Sequence, residues 1–370
     1  MLVTKNIDGT FTIEKEGFKP INTKHYLELD DETYDYLLKK FTDKPDMKYV
    51  IYDINSLVSG STVYPNIKKY YFFDLQAKTQ IYKTRYTIEE IFNDRELLSI
   101  FYAKTKTGSN FFTSDDAYEN ILSIIRTAGG GLTGKPASFP IKVVDEILHK
   151  YNINNNYYDF SCGWGDRMLS SIRNGINYFG TDPNYILCDR LNLLKSDYER
   201  YSLKKLPIVE INCQGSETFI PRYYNSIGVA FSSPPYFCLE DYKIGNQSYT
   251  DNVSYEFWLN DFMRHTMENI YDYLVENGHY CLCIKNFDKY KLEEDSVKLA
   301  ESVGFKLVKV DTCNMIHRVS CTGNSIKSDE NIFVFKKDLA NKHYHVIDDT
   351  VETVSKYSNT VVKVKNKKLF

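Results

Sequence analysis

Four consecutive residues, Ser233-Pro234-Pro235-Tyr236, have the composition of a small binding site, and they follow an apolar run over 227–231. Each proline fixes its own φ and lacks an N–H group, so the run cannot continue as a central strand. The stiff turn leaves carbonyl oxygens free and presents a ring beyond the carboxyl end of the strand, where open α/β sheets bind ligands. These groups suit a flat molecule with an amino group; a rigid turn with a packed tyrosine is the alternative.

A second motif, the glycine loop over residues 159–165, lies between a short predicted strand and a predicted helix. Gly163 and Gly165 stand two apart, which allows a tight turn and a close approach of the backbone to a ligand. The next predicted strand ends in Asp182, roughly twenty residues further on, where a carboxylate can accept both hydroxyls of a ribose. The alternative for Asp182 is a turn residue before Pro183.

Asp166 follows the glycine loop directly, where a third glycine is missing. A carboxylate at the start of a helix disfavours a pyrophosphate group in the same place. It does not disfavour a cationic nucleoside without phosphates, so this residue favours S-adenosylmethionine (SAM) over NAD or FAD. The alternative is that Asp166 only caps the helix.

Strands and helices alternate from residue 140 onward, which predicts a doubly wound, mostly parallel sheet. The last two strands have no helix between them, so we expect a hairpin at the edge of the sheet. The predicted strands are 157–160, 176–181, 208–213, 227–232, 279–284, 305–310 and 331–335, and the predicted helices are 142–150, 166–174, 184–201, 255–274 and 292–303.

The first 130 residues have a mixed pattern that predicts an α+β domain, with three glycines at 129–131 as its boundary. Helices are predicted over 30–41, from Thr87 and over 114–126, a strand over 49–54, and a hairpin of 70–75 with 79–82. The sequence therefore predicts three regions. Residues 1–130 form the α+β domain, a candidate for target recognition; residues 131–337 form the domain of alternating strands and helices; and residues 338–370 form a polar tail.

The overall composition limits the function classes. The net charge is −3, so a nucleic-acid surface has to be a local patch. No segment is long and apolar enough to cross a membrane, and the N-terminus lacks a signal peptide, so we expect a cytoplasmic protein. The eight cysteines contain no Cys-x-x-Cys pair, which predicts reduced, scattered thiols and no metal site.

Together these motifs resemble those of the amino-group DNA methyltransferases, which methylate exocyclic nitrogens of adenine or cytosine. The glycine loop is similar to the family's Asp-Pro-Phe-x-Gly-x-Gly segment, although Phe160 stands at the proline position and Ser161 at the aromatic one. Residues 233–236 match its (Asp/Asn/Ser)-Pro-Pro-aromatic motif. The resemblance covers roughly 135–337, and the variant motifs resemble methyltransferases of phage genomes.

The resemblance implies a Rossmann-like class I SAM-dependent methyltransferase fold, SAM as cofactor and DNA as partner. It implies that a target base leaves the stack, that Tyr236 stacks on it, and that the Ser233 side chain and the Pro234 carbonyl hold its amino group. Serine at the first motif position favours cytosine N4 over adenine N6. The implied catalytic residues are Ser233, Pro234, Pro235 and Tyr236, and the implied cofactor contacts are Phe139, Pro140, Asp159, Ser161, Gly163, Gly165, Asp182, Pro183, Gly215 and Ser216.

Other functions stay open at this point. The planar substrate could belong to RNA or to a protein. Ser161 and Asp166 also fit a non-catalytic nucleic-acid-binding subunit whose cofactor loop has decayed. No large insertion follows Tyr236, so target recognition would have to come from residues 1–130 or from the loop over 240–252.

Overall fold

The computed structural model describes residues 2–14, 19–107, 114–127, 132–136, 138–243, 245–248, 254–319, 325–337, 353–354 and 361–362. The N-terminal part begins with a small antiparallel sheet of β1 (Leu2–Lys5), β2 (Phe11–Glu14) and β3 (Ile21–Thr23). Seven helices and one short strand follow: α1 (Asp31–Thr42), α2 (Met47–Val58), α3 (Pro65–Tyr71), α4 (Phe73–Lys78), β4 (Gln80–Ile81), α5 (Ile88–Phe92), α6 (Arg95–Lys106) and α7 (Ala117–Thr127).

The C-terminal part alternates between strands and helices, as predicted. Its elements are α8 (Ile141–Tyr151), β5 (Asn156–Asp159), α9 (Asp166–Arg173), β6 (Asn177–Asp182), α10 (Tyr185–Tyr201), β7 (Val209–Cys213), β8 (Ile227–Ser232), β9 (Glu240–Asp241), α11 (Tyr255–Phe257), α12 (Arg264–Tyr273), β10 (Leu274–Ile284), α13 (Leu292–Val303), β11 (Phe305–Val319) and β12 (Ser325–Lys337). One π-helical segment, Trp258–Met263, joins α11 to α12.

A seven-stranded sheet forms the centre of this part, in the order β7-β6-β5-β8-β10-β12-β11. The first five strands pair in parallel, and β12 pairs antiparallel with both β10 and β11. All six residues of β8 are buried, as expected for a central strand covered on both faces. The predicted fold class, a doubly wound, mostly parallel sheet with an antiparallel edge hairpin, is confirmed.

The helices that cover the sheet have apolar residues at helical spacing. In α8, Ile141, Val144, Ile147, Leu148 and Tyr151 are buried, and they recur every three or four residues. Two large hydrophobic clusters include residues of the sheet, and a third lies in the N-terminal part. These layers leave the carboxyl ends of the parallel strands open for loops.

Two predictions for the N-terminal part are wrong. The expected strand over 49–54 lies within α2, because Asp46 caps the helix at the N–H of Lys48 and Val50, Ile54 and Leu57 are buried at helical spacing. The expected hairpin of 70–75 with 79–82 consists of α3, α4 and β4. Its aromatic residues suggested strands, but Pro65 starts a helix there. The helix from Asp30 and the capping box at Thr87 are confirmed.

The core continues across the two parts of the chain. Val50 and Ile54 of α2 and Tyr71 of α3 belong to the same hydrophobic cluster as Tyr157 and Val229 of the central sheet. The predicted boundary at 129–131 lies outside the described residues, and so does most of the tail, in which Thr353–Val354 pairs with Val361–Val362. No helix within the described ranges is long and apolar enough to span a membrane.

Candidate functional site

A cavity opens at the carboxyl ends of the parallel strands, between the loops that follow β5, β6, β7 and β8. We call its two sides the glycine half (Phe139, Ser161, Gly163, Asp182, Pro183 and Ser216, with their neighbours) and the proline half (Ser233–Tyr236, Leu239, Glu240, Tyr242 and Glu330). Ten of the predicted site residues line this cavity. Four predicted cofactor residues are not part of its lining, namely Pro140, Asp159, Gly165 and Gly215.

The glycine loop follows β5 and leads into α9. Gly163 and Gly165 have φ values of +54° and +76°, in the left-handed region that side chains disfavour. A Cβ atom at Gly165 would lie 3.1 Å from both Leu191 Cδ2 and Phe72 Cζ, so this position also has to be small for packing. Gly165 therefore shapes the loop from behind, whereas Gly163 lines the cavity.

Asp159 is fully buried behind the glycine loop, in an ion pair with Arg167. The Arg167 Nε atom lies 3.0 Å from Asp159 Oδ2, and the Tyr178 hydroxyl donates to the same oxygen at 2.9 Å. Arg167 also donates to the carbonyl oxygen of Ser161, whose own hydroxyl donates to the Phe160 carbonyl at 2.7 Å. Asp159 thus fixes the backbone of the loop, and it is Arg167 that reaches the cavity.

Asp166 connects three separate pieces of the chain. It accepts hydrogen bonds from the Tyr64 hydroxyl at 2.5 Å and from the Phe139 N–H at 3.1 Å, and it forms a 2.8 Å ion pair with Lys68. The helix-cap interpretation of this residue is wrong, since Gly165 occupies the N-cap position of α9. Asp166 holds the segment around Phe139 against the glycine loop.

Asp182 is the last residue of β6 and lines the glycine half. Its Oδ1 atom accepts from the N–H of Asn184 at 3.0 Å, and Asn184 in turn caps α10. Burial raises the pKa of Asp182 to about 6. The carboxylate is held in place by the backbone beside it and can accept further hydrogen bonds from a ligand in the cavity.

The Ser233–Tyr236 turn directly follows β8, as predicted. Tyr236 is 9% exposed, and its hydroxyl donates to Glu330 Oε2 at 3.2 Å. Ser233 lines the cavity three residues before Tyr236. Burial raises the Tyr236 pKa well above its usual value, and the Ser233 side chain partly opposes this rise. The turn therefore presents a set of polar groups beside the ring.

The wall beyond the turn is built with a piece of the N-terminal part. In β9, Glu240 pairs with Ile81 of β4, and the N–H of Tyr82 donates to the Leu239 carbonyl at 2.9 Å. Tyr242 donates to Glu240 Oε2 at 2.8 Å. Burial, reinforced by the charge of Glu330, raises the pKa of Glu240 to about 7.

The site contains residues that sequence reasoning missed. Glu330 lies on β12, 94 positions after Tyr236, and no local pattern marks it. Glu240, by contrast, belongs to the loop over 240–252 to which the sequence already drew attention, and it lines the cavity. Trp164 lies over the cavity with its ring 5.9 Å from that of Tyr242, and the π-helical segment adds Phe262 to the lining.

Metal chemistry finds no support in this part of the chain. Within the described ranges, no three His, Cys, Asp or Glu side chains form a group that could hold a metal ion. The six described cysteines are free thiols, four of them buried.

Comparison with known proteins adds a likeness of fold. No protein-family model and no curated protein matches the chain. Among solved structures it is similar to a SAM-dependent methyltransferase from Methanosarcina mazei (13% identity, 52% of this chain and 97% of that one, TM-score 0.36) and to an rRNA methylase from Streptococcus thermophilus (15% identity, 55% and 99%, TM-score 0.36). A SAM-dependent O-methyltransferase from Thermotoga maritima has 9% identity over 55% of this chain and 66% of its own, with a TM-score of 0.37. Identities and TM-scores this low do not assign an activity to the chain. The functional argument therefore depends on the residues of the site.

Proposed function

We propose that this chain is a SAM-dependent DNA methyltransferase that acts on an exocyclic amino group, with cytosine N4 as the target and adenine N6 as the alternative. One observation carries the proposal: a single cavity joins the glycine loop and Asp182 on one side to the Ser233–Tyr236 turn on the other. A ligand in the glycine half would therefore face a planar group in the proline half.

The glycine half fits SAM better than a phosphate-bearing cofactor. Asp182 offers a carboxylate for ribose hydroxyls, and Gly163 allows the backbone to come close to a ligand. The guanidinium of Arg167 is committed to Asp159, and the carboxylate of Asp166 occupies the first turn of α9. A pyrophosphate at this helix start would meet a negative charge, whereas a sulfonium nucleoside would not.

The proline half would hold the target. Two consecutive prolines stiffen the turn, and the Pro234 carbonyl and the Ser233 hydroxyl can each accept a hydrogen bond from an amino group. Tyr236 would provide the ring surface for an extruded base. SAM, when bound, supplies an electrophilic methyl group, so catalysis here consists mainly of holding the amino nitrogen in line with it.

The test is transfer of labelled methyl groups from SAM to DNA, followed by digestion to nucleosides and mass spectrometry. We expect N4-methylcytosine, and N6-methyladenine would select the alternative base. If labelled methyl groups were found only in RNA or protein, DNA would be excluded as the substrate, and the chain would still be a SAM-dependent methyltransferase. Absence of SAM binding by calorimetry would leave a non-catalytic nucleic-acid-binding subunit.

A further inference from the structure

A hydrogen bond leads away from the Ser233–Tyr236 turn. Ser233 and Tyr236 belong to the same turn and both line the cavity, and the Tyr236 hydroxyl donates to Glu330 Oε2 at 3.2 Å. Glu330 and Glu240 both line the cavity, on β12 and β9 respectively. Stacking of a base on Tyr236 needs only its ring, so the proposed function leaves this connection without a role.

We propose that Ser233, Tyr236 and Glu330 form a relay that removes the proton from the methylated amino group. This inference rests on the proposed function, because it concerns the second half of the same reaction. The relay also gives a role to the serine at the first motif position. A serine hydroxyl can accept a proton and release its own, so it passes a proton on and is neutral again afterwards.

The amino nitrogen forms a bond to the methyl carbon while the donor's sulfur–carbon bond breaks, which leaves one excess proton on the nitrogen. That proton moves to Ser233 Oγ, the serine proton moves to Tyr236 Oη, and the tyrosine proton moves to the Glu330 carboxylate. Tyr236 and Ser233 end neutral, and Glu330 ends protonated.

The proposed acceptor, Glu330, has polar neighbours in the cavity. Glu330 faces a second carboxyl, Glu240, and Cys283 of β10 donates to it at 3.6 Å. Two carboxyls in one cavity cannot both carry a charge without cost, and together with burial the neighbouring Glu330 raises the pKa of Glu240 to about 7. Glu240 is held in turn by Tyr242.

The other elements around Glu240 add little charge. From β4, the residues opposite β9 are Gln80 and Ile81, and neither titrates. The neighbouring Asp241 is neutralised by Lys243 at 2.6 Å. The pKa of Glu240 therefore depends mainly on burial, on the Tyr242 hydroxyl that donates to it, and on Glu330.

The experiment compares Tyr236→Phe with the wild-type protein in single-turnover methyl transfer to DNA. The phenylalanine keeps the ring and removes the relay, so we expect a loss of about 10-fold to 100-fold in rate with unchanged SAM affinity. Glu330→Gln should give a similar loss. Glu240→Gln should remove from the pH–rate profile the change near pH 7, where Glu240 itself titrates beside the acceptor.

Tyr280→Phe is the matched control, since this tyrosine lies in the same hydrophobic cluster and its buried hydroxyl has no hydrogen-bond partner among the described residues. Wild-type rates and an unmoved pH profile in Tyr236→Phe and Glu330→Gln would overturn the relay. Equal losses of rate and SAM affinity would overturn it too, because the residues would then only hold the site together. A wild-type protein that methylates no nucleic acid or protein would instead defeat the proposed function.

Discussion

The glycine half and the proline half of the cavity are assembled in different ways. The glycine half comes mostly from consecutive loops after β5 and β6, so its residues lie within a short stretch of sequence and their spacing carries information. The proline half joins one local turn to β9 and β12, and β4 supports β9 from behind. The residues of a site built from consecutive strand–loop–helix units can be predicted from sequence. The residues of a site built from distant segments can be predicted only in part.

The two halves also differ in how their charges are compensated. In the glycine half, Asp159 and Asp166 have cationic partners, Arg167 and Lys68, and they stabilise the loop. In the proline half, Glu240 and Glu330 meet each other and tyrosine hydroxyls. We infer that the first arrangement favours rigidity and the second favours movement of a proton.

The largest effect is expected when Arg167 is replaced by alanine, which would leave the buried Asp159 carboxylate without its ion-pair partner. We expect the free energy of unfolding to fall by about 3–5 kcal/mol, measured by urea denaturation. The double variant Asp159→Asn with Arg167→Met should recover much of the loss. A loss as small as that of an exposed ion pair would contradict the role assigned to this pair.

Tyr236→Ala tests the proline half alone. Loss of the stacking surface and of the hydroxyl should lower the single-turnover rate of methyl transfer about 100-fold, since base–aromatic stacking contributes about 1–3 kcal/mol. SAM affinity, measured by calorimetry without DNA, should be unchanged. If SAM affinity and the rate of methyl transfer both fell, the proline half would also contribute to SAM binding, and the two halves would not have separate roles.

Asp182→Asn tests the glycine half alone. Replacing the carboxylate weakens its hydrogen bonds to a ribose, so SAM affinity should fall about 10-fold. Burial raises the pKa of Asp182 to about 6. Because binding requires the ionised form, wild-type affinity should decrease as pH falls through 6, and the asparagine variant should lack that decrease. A pH dependence that persisted in the variant would exclude Asp182 as its source.

The smallest effect is expected for Tyr64→Phe, which removes one of the three partners of Asp166. The free energy of unfolding should fall by about 1 kcal/mol, less than the roughly 1.5–3 kcal/mol of a single hydrogen bond to a charged group, because Lys68 and the Phe139 N–H still hold Asp166. Tyr52→Phe, at a tyrosine of α2 that is 70% exposed, is the matched control and should change nothing. A null result at Tyr64 would show that Lys68 and the Phe139 backbone suffice.

Much of this architecture could be predicted because parallel α/β folds repeat a simple pattern. The strand at 227–232 and the helix at 292–303 were predicted with the bounds that they have, since each is a continuous pattern between clear turn signals. The segment over 49–54 was misread because its apolar and aromatic residues fit a short strand as well as one face of a helix. The pattern distinguishes a helix from a strand only when the longer segment from Asp46 to Val58 is considered.

The site shows the same limit at the level of single residues. Gly163 and Asp182 could be placed because strand ends and a fixed interval locate them. Asp159 and Gly165 matched a pattern but lie behind the cavity, and sequence does not tell a ligand contact from a residue that supports one. Glu330 could not be found, because only the pairing of β12 with β10 brings it to the turn.

The contacts of the Asp166 carboxylate limit how this protein can change over evolution. Its carboxylate is bonded to Tyr64 and to Lys68 of α3, both in the N-terminal part, and to the Phe139 N–H just before α8. An exchange of residues 1–130 for a foreign module would remove the side-chain partners of this buried anion and uncover the part of the core that α2 and α3 cover. New target preferences would therefore be reached by substitutions at the outer surface, with the inner helices inherited unchanged.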